Sequence, residues 1–308
     1  MEVIHLNFTK ELTTPISVAL GYFDGLHLGH QAVIKEAVDY AKTHQMRSAV
    51  MTFSPSPNFF LKKLDSDRLL TPYQEKVRLL TQLGVDELII LPFNEELAKM
   101  KATDFIEKYL LNHGVAHVST GFDFRFGQMG EGDAALLATY SNAFTLNVTS
   151  KCELEDEKIG ATEIKRYLSE GNIEKVTQML GRPYQLHGTV VTGQQRGREI
   201  GFPTANLKLS DAYVIPEKGV YVVMVEIEGK EYMGMCNIGH NPTFNFNDQI
   251  CIETNILNFK EEIYGKEIIL SFYHYLREEK KFSSIEELMN QLNHDQQYVR
   301  SYFKLNLN

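Results

Sequence analysis

The sequence predicts an α/β domain followed by a small antiparallel β-barrel domain that ends in a helix. Its 308 residues are enough for about two domains. Residues 1 to about 150 alternate apolar strand-like segments with helical patterns. From about residue 184, strand-like segments follow one another with short turns. The predicted class is therefore α/β + β, with a Rossmann-like, doubly wound parallel sheet in the first half.

The first half contains five apolar segments typical of buried strands. These are ISVALGYF, RSAVMTF, DELIILPF, VAHVSTGF and AFTLNVTS. The helical patterns that accompany them are HQAVIKEAVDYAKTH, PYQEKVRLLTQLG, TDFIEKYLLNHG and GDAALLATYSN. Thr71 as N-cap, Pro72 at the first position and Gln74 mark one helix start. Alternation of strands and helices predicts a parallel sheet that binds ligands beyond the carboxyl ends of its strands.

The second half contains consecutive strands without intervening helices. They are YQLHGTVVT, GVYVVMVEIE, EYMGMCNIG, QICIETNILN and KEIILSFYHYL. Glu228-Gly229-Lys230 indicates a hairpin turn, and Ser283 with Glu286 predicts a capping box for the last helix. The segment between the halves has a helical pattern. We therefore expect a first domain at 1–165, a helical connector at 166–183 and a second domain at 184–308.

Composition excludes several classes of protein. The formal net charge of −9 argues against a sequence-independent grip on a nucleic-acid backbone. The chain starts without a signal-peptide pattern, and no apolar run approaches membrane-spanning length. Cys152, Cys236 and Cys251 form no close-spaced pair, which favours reduced thiols over a disulfide framework or a zinc site. We expect a cytoplasmic protein, monomeric or weakly oligomeric, with small-molecule partners.

The segment GYFDGLHLGH, residues 21–30, joins the first predicted strand to a helix. A helix N-terminus has free backbone N–H groups and a partial positive charge, and glycines let a phosphate approach closely. His27 and His30 can point to one side, where imidazolium groups would stabilise charge on an α-phosphate as pyrophosphate leaves. A solvated turn is one alternative. A zinc pair is another, although no third ligand is spaced beside it.

The segment GFPTANL, residues 201–207, has the chemistry of a metal site. Thr204 and Asn206 lie two apart in an extended segment and so point to the same side. A hydroxyl and an amide oxygen are hard ligands that suit Mg²⁺. Glu253 lies inside an apolar strand, where an ionised carboxylate is costly without a partner. The alternatives are a surface turn for the first segment and a barrel-lip glutamate paired to Lys or Arg for Glu253.

These motifs together resemble the bacterial bifunctional riboflavin kinase/FMN adenylyltransferases, or FAD synthetases. The resembling segments, in order, are GYFDGLHLGH, TGFDFRFGQMGEGD, MLGRPYQLHGTVVTGQQRGREIGFPTANL, NIGHNPTF and CIETNILNF. The resemblance implies that the C-terminal module phosphorylates riboflavin to FMN with ATP and Mg²⁺. It implies that the N-terminal, nucleotidyltransferase module transfers AMP from a second ATP onto FMN, which gives FAD and pyrophosphate.

The same resemblance implies roles for individual residues. Glu253 would be the general base for the riboflavin 5′-hydroxyl, with His27 and His30 catalytic in adenylyl transfer. Mg²⁺ would be held by Thr204 and Asn206. Nucleotide contacts are implied for Gly21, Phe23, Asp24, Gly29, Thr162, Lys165, Gly193, Gly197, Gly201, Pro203 and Asn237, of which Gly193 and Gly197 would form a flexible flap. Flavin contacts are implied for Asp123, Phe124, Phe126 and Arg277. Turn and N-cap chemistry is the alternative for Asp24, and an exposed charged turn is the alternative for Arg277.

Two segments depart from the family pattern. Ser56 stands where the family usually has the histidine of Thr-Phe-x-Pro-His-Pro. IGATEIK, residues 159–165, stands where the family has Ile-Ser-Ser-Thr-x-Ile-Arg, so Gly160 and Ala161 replace two hydroxyls. Lys165 keeps the charge of the family arginine but loses its bidentate fork. Losing one preorganised donor to transition-state charge costs on the order of 3 kcal/mol.

Three functions follow for the sequence. The first is both activities together. The second is riboflavin kinase with a weakened or silent N-terminal domain that still binds nucleotide or flavin. The third is a non-enzymatic flavin-binding or sensor protein, which Thr204, Asn206 and Glu253 disfavour because a binder has no use for a metal site and a base. Asn255 and Asn258 replace a frequent family His and Asp, and neither carries the metal or base role.

Overall fold

A computed structural model of the protein describes residues 1–6, 15–62, 67–193, 196–240 and 250–306. The chain divides into two compact units, Met1–Ala161 (unit 1) and Thr162–Asn308 (unit 2). In the described residues, no helix combines the length and apolarity needed to cross a membrane. The three cysteines are free of disulfide bonds.

Unit 1 is built on a parallel sheet with helices on both faces. Its strands are β1 (Glu2–His5), β2 (Ile16–Leu20), β3 (Arg47–Ser54), β4 (Glu87–Pro92), β5 (Val115–Gly121), β6 (Thr145–Thr149), β7 (Glu153–Leu154) and β8 (Glu157–Lys158). Its α-helices are α1 (Leu28–Thr43), α2 (Pro57–Lys62), α3 (Tyr73–Gln82), α4 (Glu95–Ala98), α5 (Ala102–Phe105) and α6 (Ala134–Ala138). Shorter turns follow at Ile106–Leu110 (π), Leu111–His113 (3₁₀) and Gln128–Gly130 (3₁₀).

The sheet has the strand order β1-β4-β3-β2-β5-β6, and all its pairs are parallel. The five predicted strands are confirmed, but β1 was not predicted. It is a four-residue edge strand in which exposed Glu2 and His5 flank the apolar positions, so its apolar pattern is weak. Strand order reverses between β2 and β5, which is the place where doubly wound sheets form their ligand crevice.

The apolar residues of unit 1 fall into two cores because successive strand residues point to opposite faces. On one face, Val33 and Ile34 of α1 pack with Leu80 of α3. On the other face, Phe105 and Tyr109 pack against the sheet. The predicted helix over TDFIEKYLLNHG is divided into α5, a π turn and a 3₁₀ turn. The two cores, one on each face of the parallel sheet, confirm the predicted doubly wound fold.

The predicted capping box at the start of α3 is wrong. The helix begins at Tyr73 after Pro72, and no side chain caps it. The buried Thr71 hydroxyl has no hydrogen-bond partner among the described residues. The reason is that the Thr71 N–H donates to Asp24 Oδ1 at 3.1 Å, so a carboxylate distant in sequence fixes this segment.

Unit 2 is a closed antiparallel barrel with helices packed against its strands. Its strands are β9 (Tyr184–Val191), β10 (Ala205–Leu209), β11 (Gly219–Ile227), β12 (Lys230–His240), β13 (Ile250–Ile256) and β14 (Glu267–Arg277). Its helices are α7 (Ala161–Ser169, whose first residue ends unit 1), α8 (Ile173–Leu180), α9 (Arg196–Glu199) and α10 (Ile285–Asn306). The barrel order is β10-β13-β12-β11-β14-β9. The helices predicted as a connector thus belong to unit 2.

The hairpin turn predicted in unit 2 is present, whereas the predicted capping box is shifted. Glu228 and Gly229 connect β11 to β12 with φ angles of 50° and 76°, as a two-residue hairpin requires. The capping box of α10 is shifted by one residue from the prediction. Ser284 Oγ accepts the Glu287 N–H at 3.1 Å, and the Glu287 carboxylate accepts the Ser283 N–H at 2.9 Å.

Candidate active sites

An open cleft of about 1040 Å³ lies in unit 1 at the carboxyl ends of the parallel strands. It is next to the switch point between β2 and β5, where the sheet topology places a ligand. The predicted site residues that line it are Gly21, Phe23, His27, Gly29, His30, Asp123 and Phe124. Gly160 and Ala161, at the altered family segment, line it as well.

The two histidines form a stacked pair at the start of α1. Their ring centroids are 3.6 Å apart, and the rings are inclined by 22°. His27 is the N-cap, and its Nδ1 accepts the His30 N–H at 3.3 Å. The edge-on ring of Phe23 supports His30 from the side, with centroids 5.2 Å apart. A β-carbon at Gly21 would lie 2.8 Å from that Phe23 ring, so only glycine leaves room for it.

Burial sets the protonation state of His30 in the protein without substrate. Its role as an imidazolium during adenylyl transfer stays a prediction. Burial, with added repulsion from His27, holds the pKa of His30 well below 6.5. The ring is therefore neutral at pH 7. Its buried Nδ1 has no hydrogen-bond partner among the described residues. His30 thus has unused hydrogen-bonding capacity at the wall of the cleft.

Asp24 lies outside the lining of the cleft. It is 4% exposed, and its Oδ1 accepts the N–H groups of Leu70 at 2.8 Å and Thr71 at 3.1 Å. Asp24 thus fixes the segment that precedes α3, whereas the N-cap of α1 is His27. Behind the same loop, the buried Lys76 ammonium donates to the Tyr22 carbonyl at 3.0 Å, and burial lowers the pKa of Lys76 to about 8.

The aromatic segment after β5 contributes one face of the cleft. Asp123 accepts a 2.5 Å hydrogen bond from Lys158 Nζ, which also lies 5.4 Å from the Phe122 ring centroid. Lys158 lines the cleft and was not predicted, because a lysine in a short hairpin has no distinctive sequence signal. Phe126 is 5% exposed and packs on Phe105 in the core, so the structure gives it a core position outside the cleft lining.

The residues of the two altered family segments lie in two different parts of the structure. Ser56 is buried, where its hydroxyl donates to Asp67 at 2.6 Å and accepts the Phe59 N–H at 3.0 Å. It therefore caps α2 and anchors a neighbouring segment. Thr162 and Lys165 follow Ala161 on α7, on the unit 2 side of the division.

In unit 2, five residues form one row across five neighbouring strands. Asn206 on β10 pairs with Glu253 on β13, and Glu253 pairs with Asn237 on β12. Asn237 pairs with Val220 on β11, and Val220 pairs with Arg277 on β14. Four of these residues, all except Asn206, line one cavity of about 1370 Å³. The barrel register therefore assembles residues that are up to 71 positions apart in sequence (206 to 277).

The predicted metal and base residues are close together. The Cys251 sulfur lies 3.5 Å from Asn206 Oδ1 and 3.4 Å from Glu253 Oε1, so both side chains are on one face. Thr204 and Glu253 line the same cavity. Within the described part of the chain, Glu253 has no ion pair to Lys or Arg. Burial and the nearby Glu253 raise the pKa of the Cys251 thiol to about 12, so the thiol is neutral.

Close contacts with neighbouring atoms explain why two positions before Thr204 are glycines. A β-carbon at Gly193 would lie 2.2 Å from Asn206 Nδ2, and one at Gly197 would lie 2.2 Å from the Phe202 oxygen. Gly201 has a φ of +81°. Residues 194 and 195 of the predicted flap lie outside the described residues.

Arg277 is not an exposed turn residue. Its side chain is 14% exposed, and Nε and Nη2 donate to the buried Asp295 of α10 at 3.1 and 2.7 Å. Nη1 donates to the Glu278 carbonyl at 3.0 Å. At the other side of the cavity, Asn237 Nδ2 donates to Glu279 Oε1 at 3.1 Å. The Arg277–Asp295 and Asn237–Glu279 contacts fix the walls of the cavity around Glu253.

Thr204 lies between two cavities. The first has apolar walls that include Phe202, Met235, Leu288 and Leu292. The second, of about 1040 Å³, contains Pro203, Ala205 and residues of the 259–264 segment beside Thr204. A metal-ligand candidate between an apolar and a more polar cavity suits a reaction between an aromatic substrate and a phosphorylated one.

Comparison with known proteins matches each unit to a family model. The model described as FAD synthetase matches residues 9–163, and the model described as riboflavin kinase matches residues 180–303. The chain belongs to the bifunctional riboflavin kinase/FMN adenylyltransferase family. Unit 1 with its histidine cleft is the FAD synthetase part, and the barrel is the riboflavin kinase part.

Similar proteins cover almost the whole chain. A bifunctional riboflavin kinase/FMN adenylyltransferase of Listeria monocytogenes is 40% identical over 304 residues, with 97% of each chain covered. Those of Bacillus subtilis and Escherichia coli K12 are 38% and 33% identical, covering 98% and 94% of this chain and 98% and 93% of their own. A solved structure described as a macrolide-efflux protein from Streptococcus pneumoniae has a TM-score of 0.91 at 34% identity, covering 97% of this chain and 99% of its own.

Proposed function

We propose that the chain makes FMN from riboflavin and ATP in unit 2, and FAD from FMN and ATP in unit 1. The observation that carries the proposal is the pairing of Asn206 with Glu253, beside Thr204, at a cavity with apolar walls. Family membership supplies the substrates. The cleft with the stacked histidines supports the second reaction.

In the kinase reaction, the 5′-oxygen of riboflavin attacks the γ-phosphorus of ATP. The new O–P bond forms as the bond from the γ-phosphorus to the β,γ-bridging oxygen breaks, and ADP leaves. Glu253 accepts the hydroxyl proton. Such transfers pass through a loose transition state, so alignment of the hydroxyl contributes more than early proton removal. The apolar cavity would hold the isoalloxazine, and the cavity beside Pro203 would hold the nucleotide.

The residues around Thr204 fit a Mg²⁺ ion. The Thr204 hydroxyl and the Asn206 amide are hard oxygen donors, and both are near a cavity. In the described residues there is no cluster of three or more His, Cys, Asp or Glu side chains, which fits an ion that takes its other ligands from phosphates and water. When bound, Mg²⁺ screens the charge of the phosphates.

In the adenylyl transfer, a phosphate oxygen of FMN attacks the α-phosphorus of ATP, and pyrophosphate leaves. The start of α1 offers N–H groups, and His27 and His30 flank it as hydrogen-bond partners for the phosphates. Lys158 adds a cation at the cleft. Asp123 and Phe124 would contact the flavin.

The second candidate is a kinase whose adenylyl transfer is weak. It is favoured by Gly160 and Ala161, which line the cleft without the hydroxyls that the family places there. In this second candidate function, unit 1 binds FMN and ATP but forms FAD slowly, because preorganised donors to the reacting phosphate are missing.

Position-specific labelling of ATP tests the proposal. Purified protein is incubated with riboflavin, Mg²⁺ and ATP labelled either at the γ- or at the α-phosphate. We expect γ-label in FMN and in the FAD made from it, and α-label in FAD alone. Label in FMN without FAD would support the second candidate. Absence of label from both flavins, in a folded protein, would contradict the proposed function.

A further inference from the structure

We propose that Asn255 is a positioning residue of the kinase site. Its side-chain amide holds the Pro203 carbonyl, and it thereby fixes the segment that presents Thr204 and Asn206. The inference rests on the proposed kinase function. It assigns a role to a position that the sequence pattern leaves without one.

Both ends of the Asn255 amide are used. Asn255 is 4% exposed, and its Nδ2 donates to the Pro203 oxygen at 2.8 Å. Its Oδ1 accepts a hydrogen bond from Gln296 Nε2 of α10 at 2.9 Å. The side chain stands two residues after Glu253 on β13, on the same face, and lines the same cavity. One buried side chain therefore connects the catalytic strand, the metal segment and the last helix.

The position of this contact in the strand register shows why it matters. The β10–β13 pair contains only Ala205 with Thr254 and Asn206 with Glu253 among the described residues. Continued by one residue, the register would place Thr204 opposite Asn255, but the backbone ladder ends before that point. The Asn255 side chain bonds the preceding carbonyl instead. The side chain thus holds the backbone of β10 in place beyond its last backbone pair with β13.

The segment before Thr204 needs such a restraint. Pro203 is exposed and has no backbone N–H to donate. Gly201 and Phe202, just before it, are held by their own N–H groups, which donate to the Arg198 oxygen at 3.3 Å and the Gly197 oxygen at 2.8 Å, whereas Pro203 has no such donor. The carbonyl of Pro203 belongs to the same planar peptide as the Thr204 nitrogen. A restraint on that carbonyl therefore orients Thr204 directly.

The last helix links this restraint to the other wall of the cavity. Gln296, which bonds Asn255, is next in sequence to Asp295, which holds Arg277 on β14. Leu288 and Leu292 of the same helix line the cavity. The helix is thus attached to both the metal side and the flavin side of the site.

Three substitutions at one position separate this role from simple structural support. Asn255→Ala removes both hydrogen bonds. Asn255→Asp keeps an acceptor for Gln296 but cannot donate to Pro203. Asn255→His restores both, because a neutral imidazole has one donor and one acceptor nitrogen. The matched control is Asn293→Ala, an exposed amide on α10 that, among the described residues, bonds only within its own helix, to the Met289 carbonyl.

The readouts are FMN formation as a function of Mg²⁺·ATP, riboflavin binding without nucleotide by flavin fluorescence, and FMN-to-FAD conversion. For Asn255→Ala and Asn255→Asp, we expect the Mg²⁺·ATP concentration at half-maximal rate to rise about tenfold, which is the order expected from the loss of one hydrogen bond that positions the metal segment. Riboflavin affinity should fall much less than the affinity for Mg²⁺·ATP, and FMN-to-FAD conversion should not change. The Asn255→His variant should behave as wild type near pH 8 and lose that rescue as the pH falls below the imidazole pKa of about 6.5, because imidazolium cannot accept from Gln296.

The outcomes distinguish the inference from the function on which it rests. Wild-type FMN formation with an unaltered Mg²⁺·ATP dependence in Asn255→Ala would overturn the inference alone. Equal loss of riboflavin and Mg²⁺·ATP affinity would also overturn it, since that is the result of general disruption. A folded wild-type chain that forms no FMN would overturn the proposed function and the inference together.

Discussion

Asn206 and Glu253 are register partners across the antiparallel pair of β10 and β13. The Cys251 sulfur, two residues before Glu253, contacts the side-chain oxygens of both at 3.5 and 3.4 Å. A candidate metal ligand and a candidate base are therefore held by rigid strands instead of a loop. Positioning is the main source of catalysis in phosphoryl transfer, so this arrangement is what a kinase site requires.

Substitution of His30 should affect only adenylyl transfer. His30→Ala removes a partly buried ring that stacks on His27 and faces the cleft. We expect FAD formation from FMN to fall about a hundredfold, as for loss of one preorganised donor, with FMN formation unchanged. Product chromatography measures both steps. His44→Ala, at the other end of α1, is the control, and a wild-type FAD rate in His30→Ala would remove His30 from the site.

Restoring the family residues at the altered segment should raise FAD output. The triple variant Gly160→Ser, Ala161→Ser and Lys165→Arg returns two hydroxyls and a bidentate guanidinium. If these groups limit the reaction, the rate of FAD formation should rise at least about tenfold. Steady-state rates with FMN and ATP provide the measurement. An unchanged rate would mean that backbone N–H groups, His30 and Lys158 already supply the needed stabilisation.

Lys76 should make the stability of unit 1 depend on pH in the alkaline range. Burial lowers the pKa of Lys76 from 10.5 to about 8. Between these two values the unfolded chain binds more protons at this residue than the folded chain, so the free energy of unfolding rises with pH there. Below pH 8 both states are protonated, and the full cost of burying the charge is present.

The contribution is on the order of 3 kcal/mol, since each pKa unit corresponds to about 1.4 kcal/mol. Lys76→Met should therefore lose most of the rise in unfolding free energy that wild type shows between pH 8 and pH 10.5. Denaturant unfolding at several pH values measures the difference. Lys99→Met, on an exposed lysine, should keep the wild-type slope. Parallel curves for wild type and Lys76→Met would show that the buried amine titrates normally.

Periodicity was sufficient to predict the sheet and the barrel, because both are coded locally by apolar spacing. The site residues were predicted from short motifs, such as the one that contains Thr204 and Asn206, and from the family resemblance. The edge strand β1 was missed because an exposed edge needs little apolar sequence. The predicted cap at Thr71 failed because the segment is fixed by Asp24, 47 residues earlier.

The unpredicted parts of the sites depend on contacts between distant residues. Asn255 reaches Pro203 across 52 positions, and Gln296 reaches Asn255 across 41. Neither contact leaves a periodic pattern or a spacing in the sequence. Ser56 shows both cases, since its cap on Phe59 is local, whereas its bond to Asp67 becomes visible only when the two segments meet. For such residues the sequence gives the chemistry of the side chain but not its partner.

The most direct test of the account is the rate of FMN formation in Glu253→Gln. This variant keeps the size of the side chain but cannot accept the riboflavin proton. The control is Glu267→Gln, at the exposed first residue of β14. We expect FMN formation to fall by about 10² to 10⁴, the usual contribution of a general base, while FMN-to-FAD conversion stays at the wild-type rate. FMN formation at the wild-type rate in Glu253→Gln would contradict the account.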